Sequence, residues 1–165
     1  MTEEEDKMDK IPMTKEGYHS LEGELKNLKS VERPAVIEAI ATARAHGDLS
    51  ENAEYHAAKE QQSFIEGRIM ELESVISKAQ IINPADFNGH TIVKFGATVH
   101  VMDEDTGTEE TYTIVGEYES DADNGRISLT APIARALIGK SEGDSVEVRS
   151  PKGKRSLEVV KVYYQ

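Results

Sequence analysis

Two stretches of the sequence carry apolar residues at the spacing of a coiled-coil seam, and a short turn joins them. The intervals are 3, 4 and 3 in the first stretch and 4, 3, 4, 3, 4 and 3 in the second. Their members are Tyr18, Leu21, Leu25 and Leu28, and then Ala58, Gln62, Ile65, Ile69, Leu72, Ile76 and Ala79. The segment 46–50 between them is just long enough to reverse the chain. The pattern therefore predicts helices over 14–43 and 51–79, packed as an antiparallel hairpin of roughly 45 Å.

The faces of both helices outside the seam are densely charged, and this distinguishes a two-helix hairpin from a compact helical bundle. They carry Glu22, Glu24, Lys26, Lys29, Glu32, Glu66, Arg68, Glu71 and Glu73. A bundle needs wide apolar faces, whereas two helices need only one narrow seam, so the hairpin is favoured. Pro34 lies inside the first stretch, where its missing N–H predicts a kink or the start of a new segment. Val36, Ile37 and Ile40 continue the apolar stripe beyond it.

After Ile82 the apolar period changes to two, which is typical of β-strands. Strands are predicted over 91–95, 97–102, 111–115, 126–129, 145–149 and 156–163, and a short helix over 133–138 lies between Pro132 and Gly139. The sequence thus predicts an α+β chain. Its parts are a flexible acidic leader (1–10), an antiparallel coiled-coil hairpin (11–82) with its tip at 44–52, and a small antiparallel sheet domain (83–165).

Composition excludes several classes of function. The 165 residues include 19 basic and 31 acidic ones, a net charge of −12, and both halves are acidic. Independent binding of nucleic acid needs a basic surface, so another molecule must hold any RNA or DNA. The absence of cysteine excludes disulfides and thiolate chemistry and fits a reducing compartment, so we expect a cytoplasmic protein. No apolar run reaches the length of about 18 residues that a membrane span needs.

Candidate chemistry concentrates in the predicted tip, where three acids crowd together at Asp48, Glu51 and Glu54. Carboxylates three residues apart at the start of a helix can share a hard divalent cation. Asp48 with Glu51 also fits a capping box, and from the residues alone this cap is the default interpretation.

Basic and imidazole side chains surround these acids: Arg44, His46, His56 and Lys59. Arg44 and Lys59 could form ion pairs across the hairpin or a small basic patch. His56 and Glu60 have the i,i+4 spacing of a metal pair, but a solvated helix face explains them better. With no phosphate-binding glycine loop and no serine with a histidine and an acid at a local spacing, an autonomous enzyme is disfavoured.

The tip segment 46–60, HGDLSENAEYHAAKE, resembles the tip signature of the GreA/GreB family of bacterial transcript cleavage factors. The resemblance runs from Lys10 to the C-terminus, and only the acidic leader is additional. Further matching segments are 11–14, 33–34, 61–62, 66–69, 95–97, 114–116 and 132–140, together with Tyr112.

The resemblance implies a mechanism carried out with a partner. In this family the coiled coil enters the secondary channel of bacterial RNA polymerase, and a C-terminal domain of FKBP-like fold docks on the rim of that channel. By position in the motif, Asp48 and Glu51 are the two acids that help to hold a second Mg²⁺ beside the polymerase's own. The polymerase then cleaves backtracked RNA and releases a short 3′ fragment. The expectation is a monomer that is not itself an enzyme, brings no cofactor of its own and has no membrane partner.

Arg44 and Lys59 fall where the family keeps a small basic patch that touches the extruded 3′ end of the RNA. One branch of the family has a broader patch, so the small one implies the branch that acts on shallowly backtracked RNA. Ser50 occupies a variable position and has no expected role beyond the turn. The chain lacks the tryptophan of FKBP-like prolyl isomerases, so isomerase activity is not expected.

Two other functions remain open from the sequence alone. A channel-binding inhibitor of the polymerase would share the shape, although it would be expected to have a rearranged tip. A non-catalytic coiled-coil adaptor or chaperone would use the tip acids only to cap a helix.

Overall fold

A computed structural model describes residues 10–48 and 51–164, and the chain divides into two compact units. The hairpin unit comprises 18–79, and the sheet unit comprises the described residues of 1–17 and 80–165. The expected leader lies outside the described residues except for Lys10. The predicted boundary placed 11–17 and 80–82 in the hairpin, but these segments belong to the sheet unit.

Hydrogen bonds to one carboxylate explain why the N-terminal segment belongs to the sheet unit. Glu119 Oε2 accepts from the backbone N–H of Thr14 at 3.1 Å and from that of Gly116 at 3.0 Å. Strand β1 (Ile11–Met13) precedes Thr14 and pairs with strand β2 (Ala79–Ile81) in a separate two-stranded sheet. Each strand has only three residues, too few for a period of two to appear in the sequence.

The hairpin unit confirms the predicted antiparallel helices. The first arm contains α1 (Lys15–Asn27), of which 15–17 fall in the sheet unit, a π-helical turn (Leu28–Glu32) and α2 (Arg33–Arg44). The second arm is α3 (Ala53–Ser77). At 1.5 Å per residue, α3 is about 37 Å long. The buried seam consists of Leu21, Leu28, Val36, Ile40 and Ala43 on the first arm and Ala58, Ile65, Ile69, Leu72 and Val75 on the second.

The π-helical turn shifts the seam by one residue. The backbone N–H of Arg33 bonds to the carbonyl of Leu28, five residues back, so this turn holds one residue more than an α-helical turn. The new α-segment then begins at Arg33 with Pro34 in its first turn, as the sequence predicts. Because of the extra residue, the seam continues through Val36 and Ile40. The expectation that Ile37 belongs to it is wrong, since Ile37 is 52% exposed.

A bidentate ion pair joins the two arms beside the seam. Arg33 Nε donates to Glu66 Oε1 at 2.7 Å, and Arg33 Nη2 donates to Glu66 Oε2 at 2.8 Å. The hydrogen bonds raise the pKa of Arg33 and lower the pKa of Glu66. Arg68 binds Glu24 in the same bidentate way, at 2.8 and 3.0 Å, so ion pairs connect the arms at more than one level.

The sheet unit contains a five-stranded sheet in the order β5-β4-β3-β7-β6. Its strands are β3 (Thr98–Asp103), β4 (Glu109–Val115), β5 (Arg126–Ser128), β6 (Ser145–Ser150) and β7 (Gly153–Tyr163), and α4 spans Pro132–Leu137. All pairs are antiparallel except β4 with β5. One face packs on a core that includes Val99, Val101, Ile114, Ala134, Leu137, Leu157 and Val159. The α+β class is thus confirmed. In the described residues, no helix combines the length and hydropathy needed to cross a membrane.

The predicted strand over 91–95 is wrong, because its backbone bonds to the turn that follows α4. Ile92 makes one isolated bridge with Ser141. The N–H of Val93 donates to the carbonyl of Lys140, and the N–H of Gly139 donates to the carbonyl of Val93, both at 2.8 Å. These bonds hold the segment against the core without a ladder of strand pairs.

The buried hydroxyl of Tyr164 yields a test of the sheet unit. It donates to the carbonyl of Ile92 at 2.6 Å and accepts from the N–H of Lys94 at 3.0 Å, and burial raises its pKa. We expect Tyr164→Phe to lower the free energy of unfolding by about 1–3 kcal/mol, because two backbone groups lose their partner. Urea unfolding measures this. Tyr163→Phe is the control, since its hydroxyl has no hydrogen-bond partner among the described residues, and an equal effect of both variants would contradict the assignment.

Candidate functional site at the hairpin tip

The turn at the end of α2 brings the chain to Asp48. The N–H of His46 donates to the carbonyl of Ala43 at 3.1 Å, and the N–H of Gly47 donates to that of Arg44 at 3.4 Å. Gly47 has a φ of 115°, a backbone conformation that residues with a side chain rarely adopt. Asp48 follows with its side chain exposed. Leu49 and Ser50, including the expectation for Ser50, lie outside the described residues.

Asn52 joins the two helix ends at the tip. Its Oδ1 accepts from the N–H of Tyr55 at 3.0 Å and so caps α3, while its Nδ2 donates to the carbonyl of Ala43 at 2.8 Å. An amide can accept at one helix start and donate at the other helix end, which a carboxylate cannot do. The default interpretation of Asp48 with Glu51 as a capping box is therefore wrong, since α3 begins at Ala53 with Asn52 as its cap.

The tip acids lie around a shallow depression at the start of α3. Asp48, Glu51 and Glu54 are exposed and line it together with His46, Asn52 and Ala53. Within residues 10–48 and 51–164, no three His, Asp or Glu side chains are grouped so that they could hold a metal ion by themselves. Mg²⁺ is commonly held by one or two carboxylates together with waters and substrate phosphates. Exposed carboxylates such as Asp48 and Glu51 are oxygen ligands of this kind.

Arg44 and Lys59 line one groove between α2 and α3, together with Ile37, Ile40, Ala41 and Gln62. The Arg44 guanidinium carbon lies 5.8 Å from the centroid of the Tyr55 ring, and Lys59 Nζ donates to Gln62 Oε1 at 3.2 Å. Neither cation forms an ion pair with a carboxylate in the part of the chain that the structure describes, whereas Lys29, Arg33 and Arg68 do. The structure thus brings together two cations whose charge remains available to an anion.

Tyr55 and Asn52 are tip residues that the sequence reasoning did not single out. Asparagine is among the preferred helix caps, and its place next to the apolar-periodic run was a usable signal for Asn52. The contact of Tyr55 with Arg44 spans the turn, so no spacing within one helix indicates it. The ring of His56 lies edge-on to the Tyr55 ring, with the centroids 5.5 Å apart. Among the described residues, His56 and Glu60 do not belong to any group of three or more side chains that could hold a metal ion.

Both units match known families. Residues 11–81 match the family described as "Transcription elongation factor, N-terminal", and residues 88–164 match "Transcription elongation factor, GreA/GreB, C-term". The helical hairpin and the sheet unit thus define the class of transcription elongation factors. The chain belongs to the GreA/GreB family, which confirms the resemblance seen in the sequence.

Relatives and a solved structure with similar sequences span nearly the whole chain. Transcription elongation factor GreA of Jannaschia sp. (strain CCS1) is 63% identical over 157 residues, which cover 95% of this chain and 99% of the relative. The GreA of Cereibacter sphaeroides (strain ATCC 17025 / ATH 2.4.3) is 62% identical over the same coverage. GreA factor homolog 1 (Gfh1) of Thermus thermophilus is 27% identical, covers 93% of this chain and 99% of its own, and superposes with a TM-score of 0.42.

Proposed function

We propose that this chain is a transcript cleavage factor. Its hairpin enters the secondary channel of bacterial RNA polymerase and stimulates the polymerase's own Mg²⁺-dependent cleavage of backtracked RNA. The observation that carries the proposal is that Asp48 and Glu51 are both exposed and line one depression at the start of α3, whose cap is Asn52. Membership of the GreA/GreB family supports it.

Asp48 and Glu51 supply oxygen ligands to a Mg²⁺ ion that the polymerase and the RNA also hold. When bound, Mg²⁺ stabilises the charge that develops at the phosphate and activates water as a nucleophile. The turn at Gly47 and the Asn52 bridge between the helix ends hold the two carboxylates at the tip. The carboxylates also orient water by accepting its hydrogen bonds.

The polymerase remains the enzyme in this proposal, and this chain completes its active centre. The net charge of −12 fits that division, since RNA does not bind an acidic surface without another molecule to hold it. Arg44 and Lys59 supply the local positive charge that meets the 3′ end of the RNA at the tip. The sheet unit docks on the rim of the channel, and the chain acts as a monomer in the cytoplasm.

Arrested elongation complexes test the proposal against the two alternatives. A polymerase stalled in a backtracked state is given Mg²⁺ and nucleotides, with this chain added or omitted, and the fraction of RNA that reaches full length is measured. A cleavage factor raises this fraction. A channel-binding inhibitor binds the polymerase and lowers it, and a coiled-coil adaptor leaves it unchanged, so either result would overturn the proposal.

The basic patch yields a prediction of its own. We expect Arg44→Ala with Lys59→Ala to raise the protein concentration for half-maximal cleavage about tenfold, as two contacts from cations to phosphates are lost. The dependence of that concentration on salt should also weaken. Lys26→Ala is the matched control, an exposed lysine on α1 outside the tip. Equal responses of the two proteins would contradict a role of the patch.

A further inference from the structure

We propose that Tyr55 is a positioning residue that holds Arg44 in place for a phosphate of the RNA; this inference rests on the proposed function. Arg44 is the last residue of α2, and Tyr55 lies in the first turn of α3. The guanidinium carbon of Arg44 lies 5.8 Å from the centroid of the Tyr55 ring, within the range of a cation–π contact. The contact therefore crosses the turn that carries the tip acids.

An aromatic ring can hold an arginine without neutralising its charge. The side chain of Arg44 is exposed, and in the described residues no carboxylate pairs with it. A carboxylate would fix the guanidinium more firmly, but it would also occupy the N–H donors that a phosphate needs. The face of the Tyr55 ring restricts the movement of the long Arg44 side chain. The N–H groups of the guanidinium are not used in this contact and can donate to another partner. Tyr55 thus gives Arg44 order and leaves its hydrogen-bonding capacity for the RNA.

Tyr55 is itself connected to α2 through the side chain of Asn52, which its backbone N–H contacts. Its N–H donates to Asn52 Oδ1 at 3.0 Å, and Asn52 Nδ2 donates to the carbonyl of Ala43, next to Arg44, at 2.8 Å. Two hydrogen bonds therefore connect the ring-bearing residue to the helix end that carries the arginine. Because the bond to Asn52 uses the backbone N–H of Tyr55, the side chain can be replaced without removing the cap.

Side-chain replacements at Tyr55 give the first readout. We expect Tyr55→Leu to raise the protein concentration for half-maximal RNA cleavage about two- to fivefold, since that is what an exposed cation–π contact contributes. The maximal cleavage rate should stay unchanged, because Asp48 and Glu51 are intact. Tyr55→Phe keeps the ring face and should behave as the wild type. Phe64→Leu removes an exposed aromatic ring from the same helix outside the tip and serves as the matched control.

A double-mutant cycle with Arg44→Ala separates positioning from a structural role. If Tyr55 acts through Arg44, Tyr55→Leu has no further effect in the Arg44→Ala protein. If its effect is the same in both backgrounds, Tyr55 is structural and the inference is overturned, while cleavage by the wild type still upholds the proposed function. Absence of cleavage with the wild type would overturn both. Circular dichroism of each variant should show unchanged helix content.

Discussion

Replacing Asp48 by Asn is expected to slow RNA cleavage in a backtracked complex by at least about 10²-fold at saturating protein. Asparagine keeps the size of the side chain but removes the negative charge that makes it a good Mg²⁺ ligand. Since the cap of α3 is Asn52, the substitution does not remove that cap. Glu51→Gln should act in the same direction, and both variants should bind the polymerase as well as the wild type does.

The dependence on Mg²⁺ shows whether the acids act through the metal. Cleavage measured over a series of Mg²⁺ concentrations should half-saturate at a higher concentration for Asp48→Asn than for the wild type. Glu54→Gln removes the same charge from a neighbouring exposed position and is the matched control. A drop in rate that is equal in all three variants would indicate a general effect of charge at the tip and would contradict specific roles for Asp48 and Glu51.

Leu72→Ala is expected to lower the free energy of unfolding of the hairpin unit by about 2–5 kcal/mol. Leu72 is fully buried in the seam, with 0% of its surface exposed, and alanine leaves a cavity between the two arms. Because the seam is the core of the hairpin in the residues that the structure describes, cleavage should fail at temperatures where the wild type is active. Urea unfolding followed by helical circular dichroism measures the change.

Met70→Ala is the control for this prediction. Met70 lies on the same helix with 72% of its surface exposed, so its truncation should change the free energy of unfolding by no more than about 0.5 kcal/mol. Unfolding curves that shift equally for both variants would contradict the assignment of Leu72 to the seam.

The helices are predictable from the sequence because a long periodic pattern determines which side chains are buried between the two arms. The seam residues Ile65, Ile69 and Leu72 are buried as their spacing requires. The π-helical turn at 28–32 is harder to predict, since one extra residue in a turn produces no periodic pattern of its own. It is visible only as a shift in the spacing of the buried residues between Leu28 and Val36. Strands β1 and β2 and the segment around Ile92 also escape prediction, because their hydrogen bonds depend on residues far away in the chain.

The tip is predictable in composition but not in geometry. The acids and the basic pair stand out in the sequence, and the resemblance to the GreA/GreB family gives them their expected roles. Which residue caps α3 depends on where the helix begins, and boundaries are set by side chains that reach across the turn, as Asn52 does to Ala43. The contact between Arg44 and Tyr55 likewise joins two helices, so only the structure reveals it.

Release of 3′-labelled RNA from a backtracked elongation complex shows whether this chain stimulates cleavage by the polymerase. The complex is prepared with RNA labelled at its 3′ end and kept in Mg²⁺ without nucleotides, and this chain is added or omitted. We expect rapid release of short labelled fragments that depends on the added chain. Binding of the chain to the polymerase with no release above the rate of the polymerase alone would contradict it.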